Sequence, residues 1–212
     1  MEAGERERLE AEIRRRAEAR DFTGAAEAAM RGYGREIYEL LAALHRRDDD
    51  AGEVFSLFAE GLWRGLPGFA WRSSFRTWAY AVAHKASLRY RRDVRRRAAR
   101  HLPLPDPSSL SALVAEVRSA TRSYLRTERR SRFAELRASL PPEDQALLML
   151  RVDRRLPWSD LARVLHEEDG DPLEGKALER EAARLRKRFQ LLKEKLYEMG
   201  RREGLVDPGG ES

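Results

Sequence analysis

Hydrophobic residues recur at helical spacing along most of the chain, and no segment alternates as a β-strand does. From residue 178 onward, apolar side chains are separated by four, three, four, three and four positions, which predicts a long helix with one apolar seam. Two earlier segments, 34–45 and 53–66, also repeat at helical spacing. The pattern therefore predicts an all-α fold. The periodic positions are Ile37, Leu40, Leu41, Leu44, Val54, Phe58, Leu62, Leu178, Ala182, Leu185, Phe189, Leu192 and Leu196.

Prolines and small polar residues mark where these helices are interrupted. Three prolines fall within residues 103–107, and proline at that density ends helices and keeps the chain extended, so we expect a linker there. Ser73 or Ser74 suits the N-cap of the helix that follows it, and Pro142 suits a first helical turn. We expect two small helical domains joined by the proline-rich linker, the second containing a helix-turn-helix. The predicted boundaries are 1–24 for a charged N-terminal tail or helix, 25–100 for the first domain, 101–125 for the linker, 126–200 for the second domain and 201–212 for a tail.

The charge of the chain is strongly clustered. The net charge is +6, from 42 Lys and Arg residues against 36 Asp and Glu residues. The segments 84–101, 118–132 and 176–195 carry +7, +5 and +5, which leaves −11 on the rest of the chain. Separate basic stripes on an acidic background indicate a polyanionic partner, whereas an arginine-rich coding bias would give only solvated helix faces. The clustering favours the polyanionic partner.

Several classes of chemistry lack the residues they need. The chain has no cysteine, which excludes disulfides, thiolate catalysis and Cys-based zinc or iron–sulfur sites. The four histidines lie far apart, and glycine-rich phosphate loops, HExxH and GxSxG are absent. No apolar run approaches the ~20 residues of a membrane span, and the charged N-terminus lacks a signal-peptide core. We expect a soluble cytoplasmic protein that is not an enzyme, with no metal, cofactor, membrane or small-molecule substrate.

A loop and a helix at 65–92 combine aromatic and basic residues. Aromatic faces stack on unpaired bases and cations hold phosphates, so the combination suits a single-stranded or melting nucleic acid better than an intact duplex. The alternative, which we favour for Phe75, Trp78 and Val82, is that the aromatics form the buried stripe of a bundle helix. Exposure and nucleic-acid contact are expected for Trp71, Arg72, Arg76 and Lys85. The full set of candidate contacts is Phe69, Trp71, Arg72, Ser74, Arg76, Trp78, Tyr80, His84, Lys85, Arg89 and Arg92.

A short helix, LPWSDLARVL at 156–165, is followed by an acidic loop and a long basic helix. This is the outline of a helix-turn-helix, whose second helix reads base edges in the major groove. On this interpretation Lys176, Arg180 and Arg184 face DNA, and the apolar seam of the same helix faces the core.

The two constellations occur in this order across the linker, and with them the chain resembles bacterial RNA polymerase sigma factors of the extracytoplasmic-function (ECF) type. The stretch SSFRTWAY at 73–80 is close to specific for that family, and DAGEVFSLFAEGLW, LPPEDQALLMLRV and REAARLRKRFQLLKEKL follow its pattern. The resemblance covers residues 25–100 as sigma region 2 and residues 126–200 as sigma region 4. It implies a protein that binds core RNA polymerase and directs it to a subset of promoters.

The resemblance also implies roles for individual residues. The loop at 69–72 corresponds to the one that holds a flipped base of the minus-ten element, and the helix after it to the one that melts and reads that element. Promoter DNA and core polymerase are the implied partners, and an anti-sigma factor is a further candidate. Implied core-polymerase contacts are Asp50, Glu53, Val54, Ser56 and Phe58. Implied minus-thirty-five contacts are Lys176, Arg180, Arg184, Lys187 and Arg188.

The chain departs from the family pattern at a few positions. Ser56 stands where the family has Gln, Ala83-His84-Lys85 stands for Ala-Arg-Asn, and the turn before the basic helix is longer and acidic. Two alternatives therefore stay open. One is a helix-turn-helix regulator that binds duplex DNA without polymerase, and the other is a divergent sigma-like interaction module.

Overall fold

The computed structural model describes residues 2–45, 47–96, 112–121, 132–166 and 173–205. Within these ranges the chain forms helices joined by turns and contains no strand, which confirms the all-α prediction. None of the described helices is long and apolar enough to cross a membrane. The chain divides into two compact units, Met1–Ser123 and Tyr124–Ser212. The prolines of the predicted linker and most of the predicted acidic turn lie outside the described residues.

Unit 1 is a bundle in which one helix contacts most of the others. The second helix packs against the first, third and fourth, and the fourth also contacts the first and third. The helices of unit 1 are α1 (Ala3–Glu18), α2 (Phe22–Leu44), α3 (Asp48–Gly65), α4 (Phe75–Arg96) and α5 (112–121), with a short 3-10 turn at Leu66–Gly68.

The core of unit 1 is built from the residues that the periodicity selects. Every predicted apolar position of α2 and α3 is buried, which confirms the helical faces read from the sequence. The Tyr38 ring meets the Phe55 ring edge-on at 5.2 Å, and Phe55 lies 5.6 Å from Phe58. Aromatic pairs of this geometry stabilise a core beyond the area they bury. Aromatic contacts between α2 and α3 therefore contribute to the core of unit 1.

Two helices of unit 1 lie in segments that the predicted boundaries place outside the first domain. The predicted N-terminal tail or helix forms α1, which buries Ile13 and packs on α2 and α4. The segment assigned to the linker contains α5, whose Val114 and Thr121 are buried. Val117 packs where Gly34 of α2 has no side chain, since a Cβ there would stand 3.2 Å from it. Helix α5 therefore belongs to unit 1.

Unit 2 contains α6 (Arg132–Ser139), α7 (Pro142–Leu148), one π-helical turn at Met149–Asp153, α8 (Trp158–Leu165) and α9 (Gly175–Arg202). Pro142 occupies the first turn of α7, as predicted, with Glu143 and Asp144 beside it at the positive end of the helix dipole. The long predicted helix is α9, and its apolar seam packs against α6, α7 and α8. One cluster of this core contains Leu140, Leu148, Leu192, Phe189, Leu196 and Met199.

Candidate functional site

The first turn of α4 is held by a side chain from the residue just before it, Ser74, and by one from α1, Glu10. Ser74 is the N-cap: its Oγ accepts a hydrogen bond from the Thr77 amide at 3.0 Å, which confirms one of the two predicted caps. The amides of Phe75 and Arg76 donate to the carboxylate of Glu10 on α1, at 2.7 and 2.9 Å. These amides have no partner within the helix itself, so the caps fix where α4 starts and how the preceding loop enters it.

Four aromatic rings gather at this point and form what we call the aromatic cluster: Phe69, Trp71, Phe75 and Trp78. Phe69 stacks on Trp78 at 4.6 Å with an interplanar angle of 21°, and lies 4.7 Å from Trp71. Phe75 is buried beneath them, while the other three rings are only half-buried. Bare backbone at Gly65 makes room for Trp78, because a Cβ there would stand 3.0 Å from the indole. The cluster therefore presents aromatic surface on a well-packed base.

The loop before α4 carries backbone strain at the aromatic cluster. Trp71 has a φ of 56°, a left-handed conformation that is rare for a bulky residue and costs about 1 kcal/mol or more. The Arg14 guanidinium of α1 lies over the Trp71 ring, 5.4 Å from its centroid. Arg72 and Ser74 follow Trp71 and are exposed. The strained residue is thus held between the cluster and α1, with polar groups beside it.

A row of exposed cations continues from the aromatic cluster along α4. Lys85, Arg89 and Arg92 are exposed, and their spacing of four and three residues puts them on one face of the helix. Trp78 lies on the same face, seven residues before Lys85. The face from Trp78 to Arg92 is ~21 Å long at the rise of an α-helix. The exposure predicted for Arg72 and Lys85 is confirmed, and the cluster forms one end of this cationic row.

The predicted exposure of Arg76 is wrong. Its guanidinium is buried and makes a two-point ion pair with Glu36 of α2, with Nε–Oε1 at 2.7 Å and Nη2–Oε2 at 3.0 Å. It also lies over the Tyr80 ring, 5.3 Å from the centroid. A buried charge needs such a partner, and here the partner comes from another helix. Arg76 therefore joins α4 to α2 and is not a free cation.

Tyr80 and His84 are buried as well, so these two predicted contacts offer no accessible surface in unit 1. Both belong to the face of α4 that meets α2 and α3. The positions 76, 80, 83, 84 and 87 are buried, and their helical spacing puts them on one face of α4. Because several of these residues are polar, the sequence does not show this face as an apolar stripe.

Helix α3 exposes a mixed acidic and apolar face. Val54 and Phe58 are core residues, and Asp50 accepts a hydrogen bond from the Tyr90 hydroxyl at 2.9 Å. Glu53 and Ser56 are half-buried at the surface. Sequence reasoning missed Leu57 and Trp63, which are 39% and 36% exposed although both are large and apolar. The α3 outer face, as we call it, consists of Asp49, Glu53, Ser56, Leu57, Glu60 and Trp63.

In unit 2, the predicted cations of α9 fall into two groups. Four of them are exposed and share one side of the helix: Lys176, Arg180, Arg184 and Lys187. Arg184 pairs with Glu181 of the same helix at 2.6 Å, in a surface contact. Arg188 differs, because it pairs with Asp144 of α7 at 2.7 Å and so links two helices of unit 2. The ring of Trp158 on α8 packs edge-on against Phe189 of α9 at 5.6 Å.

Comparison with known proteins gives one finding. Residues 29–97 match the family model described as sigma-70 region 2, a segment of about a third of the chain. The matched segment contains most of α2, all of α3, the aromatic cluster and α4. No curated protein and no solved structure matched the chain. The match supports a sigma-70-type factor and leaves α1, α5 and unit 2 outside it.

Proposed function

We propose that this chain is a sigma factor of the ECF type, which binds core RNA polymerase and directs it to a subset of promoters. The match of residues 29–97 to sigma-70 region 2 carries the proposal. The aromatic cluster at the end of a cationic row supports it from the chemistry of the surface. The work of such a protein is binding and strand separation, so it needs no bond-breaking residues.

In this proposal the aromatic cluster captures a base of the opened minus-ten strand. A base that leaves the duplex loses its stacking, and an aromatic face in a prepared site replaces part of that energy. Stacking on an aromatic side chain contributes about 1–3 kcal/mol per base. Trp71 and its neighbours supply the face, and the exposed cations of α4 neutralise the phosphates that follow. The proposed contacts are Phe69, Trp71, Arg72, Ser74, Trp78, Lys85, Arg89 and Arg92.

Core polymerase binds, in this proposal, to the α3 outer face. Exposed Leu57 and Trp63 give apolar anchors, and the carboxylates of Asp49, Glu53 and Glu60 surround them. Buried aromatic anchors with a charged rim are typical of protein interfaces. Val54 and Phe58 serve by holding α3 in place from the core.

Unit 2 contacts the minus-thirty-five element through α9. The four exposed cations on one side of this helix support the proposal, since duplex affinity depends on phosphate neutralisation. Arg188 is left out of the set because its pairing with Asp144 holds unit 2 together.

The proposal is tested by two matched tryptophan variants in complex with core polymerase. Trp71→Ala should leave core binding unchanged and reduce strand opening about 5- to 150-fold, since one base loses its stacking partner. Trp63→Ala should weaken core binding. When enough core polymerase is added to saturate this variant, the complex should open DNA as the wild type does. Core binding is measured by fluorescence anisotropy. Opening is measured by permanganate reactivity of thymines on genomic fragments that the wild-type complex selects.

Three results would count against the proposal or a part of it. If the wild-type protein never associates with core polymerase at low salt, the sigma interpretation fails. If it instead binds duplex fragments tightly by itself, the regulator interpretation replaces it. Equal effects of both variants on core binding would remove the division of labour between α3 and the loop.

A further inference from the structure

The side chain of Glu10 on α1 accepts hydrogen bonds from two backbone amides in the first turn of α4. Its Oε2 accepts from Phe75 and its Oε1 from Arg76, while Oε1 also accepts from the Tyr33 hydroxyl at 2.8 Å. A carboxylate at the N-terminus of a helix is favoured by the helix dipole and by charge-assisted hydrogen bonds. Three donors, one from α2 and two from α4, therefore converge on one carboxylate, which lies 65 residues before Phe75 in the chain.

The next turn of α1 reaches the loop itself. Arg14 lies four residues after Glu10 and hence on the same side of α1, and its guanidinium covers the strained Trp71 ring. Arg14 thus contacts Trp71 in the loop, while Glu10 of the same helix holds the first turn of α4. A left-handed Trp persists only when its surroundings hold it. Helix α1 supplies part of those surroundings.

We propose that Glu10 is a positioning residue of the aromatic cluster: by holding the first turn of α4, it sets the conformation of the loop that presents Trp71 to the opened strand. This inference rests on the proposed function, and it adds to it a helix that lies before the segment matching sigma-70 region 2, which begins at residue 29. Glu10 itself does not touch DNA in this proposal.

The proposed role depends on both acceptor oxygens of the Glu10 carboxylate. A glutamine side chain has one acceptor oxygen, and its amide group would direct hydrogens toward the second α4 amide. Glu10→Gln should therefore release one of the two amides and let the loop relax from the strained conformation. Tyr33→Phe removes only the hydroxyl donor and keeps the buried ring, so its effect should be in the same direction and smaller.

The test compares these variants with Glu7→Gln, which removes the same charge from an exposed position of α1. Each full-length protein is bound to core polymerase and titrated with a single-stranded oligonucleotide, taken from the strand that the wild-type complex opens. We expect Glu10→Gln to bind it about 3- to 30-fold more weakly, in line with the loss of a helix cap. Core affinity should be unchanged, and Glu7→Gln should behave as wild type.

A second readout does not depend on DNA. In a background with Trp63→Phe and Trp158→Phe, Trp71 and Trp78 are the only tryptophans, and acrylamide quenching of selectively excited tryptophan fluorescence reports how well the loop is held. Glu10→Gln should increase quenching at a temperature where far-UV circular dichroism shows the protein folded. Unchanged quenching and unchanged oligonucleotide affinity would overturn the inference, as would parallel losses of core and oligonucleotide binding. If the wild-type complex opens no DNA, the proposed function fails, and increased quenching still supports the positioning of the loop by Glu10.

Discussion

His45, at the end of α2, couples the stability of unit 1 to pH. Its ring is buried, and its Nε2 lies 2.8 Å from the Ser87 hydroxyl of α4. Burial lowers the pKa of His45 to about 4, with the charge of Arg91 acting in the same direction and Asp50 against it. The imidazole is therefore neutral in the folded protein throughout the range in which a free histidine takes up a proton.

We expect the free energy of unfolding to fall as the pH drops from about 6.5 toward 4, because the unfolded chain then binds a proton that the folded chain does not. The loss attributable to His45 should reach about 2 kcal/mol by pH 4.5. Urea unfolding at pH 7 and 4.5 measures it. His45→Gln should show a smaller difference between the two pH values. An unaltered difference in His45→Gln would remove the assignment.

Single residues also show what the sequence could and could not reveal. Ser74 was predictable as a cap because its role depends on neighbours three residues away. The exposure of Lys85 followed from its type. Arg76 was not predictable, because the Glu36 carboxylate that allows its burial lies 40 residues earlier and on another helix. The capping role of Glu10 was not predictable for the same reason, since nothing near Glu10 in the chain indicates that it caps α4.

At the scale of elements, the crossing of α3 and α4 depends on Gly65. A Cβ at this position would lie 3.0 Å from the Trp78 ring, so the ring would have to move. Overpacking of this kind costs about 1–3 kcal/mol, whereas alanine is favoured over glycine in a helix by about 1 kcal/mol. We expect Gly65→Ala to lower stability by about 1 kcal/mol and to disturb the stacking of Trp78 on Phe69.

Thermal unfolding and near-ultraviolet circular dichroism test this expectation. The matched control is Gly68→Ala in the adjoining 3-10 turn, where a Cβ would meet nothing within 4 Å. That variant should unfold like wild type and keep the aromatic signal. If Gly65→Ala is as stable as the control and has the same spectrum, Trp78 is free to adjust, and the close approach of the two helices is not a constraint.

Most helices were visible in the sequence, and the exceptions have a physical explanation. The apolar faces of α2, α3 and α9 are continuous, so their periodicity predicts both the helix and its buried side. Helix α1 is charged almost throughout, and its packing face includes a single fully buried residue, Ile13. Helix α5 follows a proline-rich stretch, and although Leu113, Val114 and Val117 indicate an amphipathic helix, the assignment of residues 101–125 to a linker did not predict its packing on unit 1. Neither local pattern indicates the surface that the helix covers.

At the scale of the whole molecule, the net charge of +6 says little about how DNA would be bound. Many cations have partners within the structure: Arg76 and Arg188 join helices, and Arg31 and Arg35 pair with glutamates one turn away. The exposed pairs of Arg31 and Arg35 contribute little to stability. What distinguishes Lys85, Arg89 and Arg92 is their shared face beside the aromatic cluster. Position, and not charge alone, should therefore decide which cations matter for DNA.

The salt dependence of DNA binding separates position from charge. Replacing Lys85, Arg89 and Arg92 with glutamine should weaken binding of the opened strand to the polymerase complex and reduce the slope of log K against log salt by about 2, since each phosphate contact on a single strand contributes about 0.7. The control replaces three exposed arginines elsewhere in unit 1, Arg8, Arg31 and Arg35, and removes the same charge. It should change the slope by less than a single contact would. Equal slopes for the two triple variants would mean that unit 1 attracts DNA through its total charge, and the cationic row on α4 would then have no separate role.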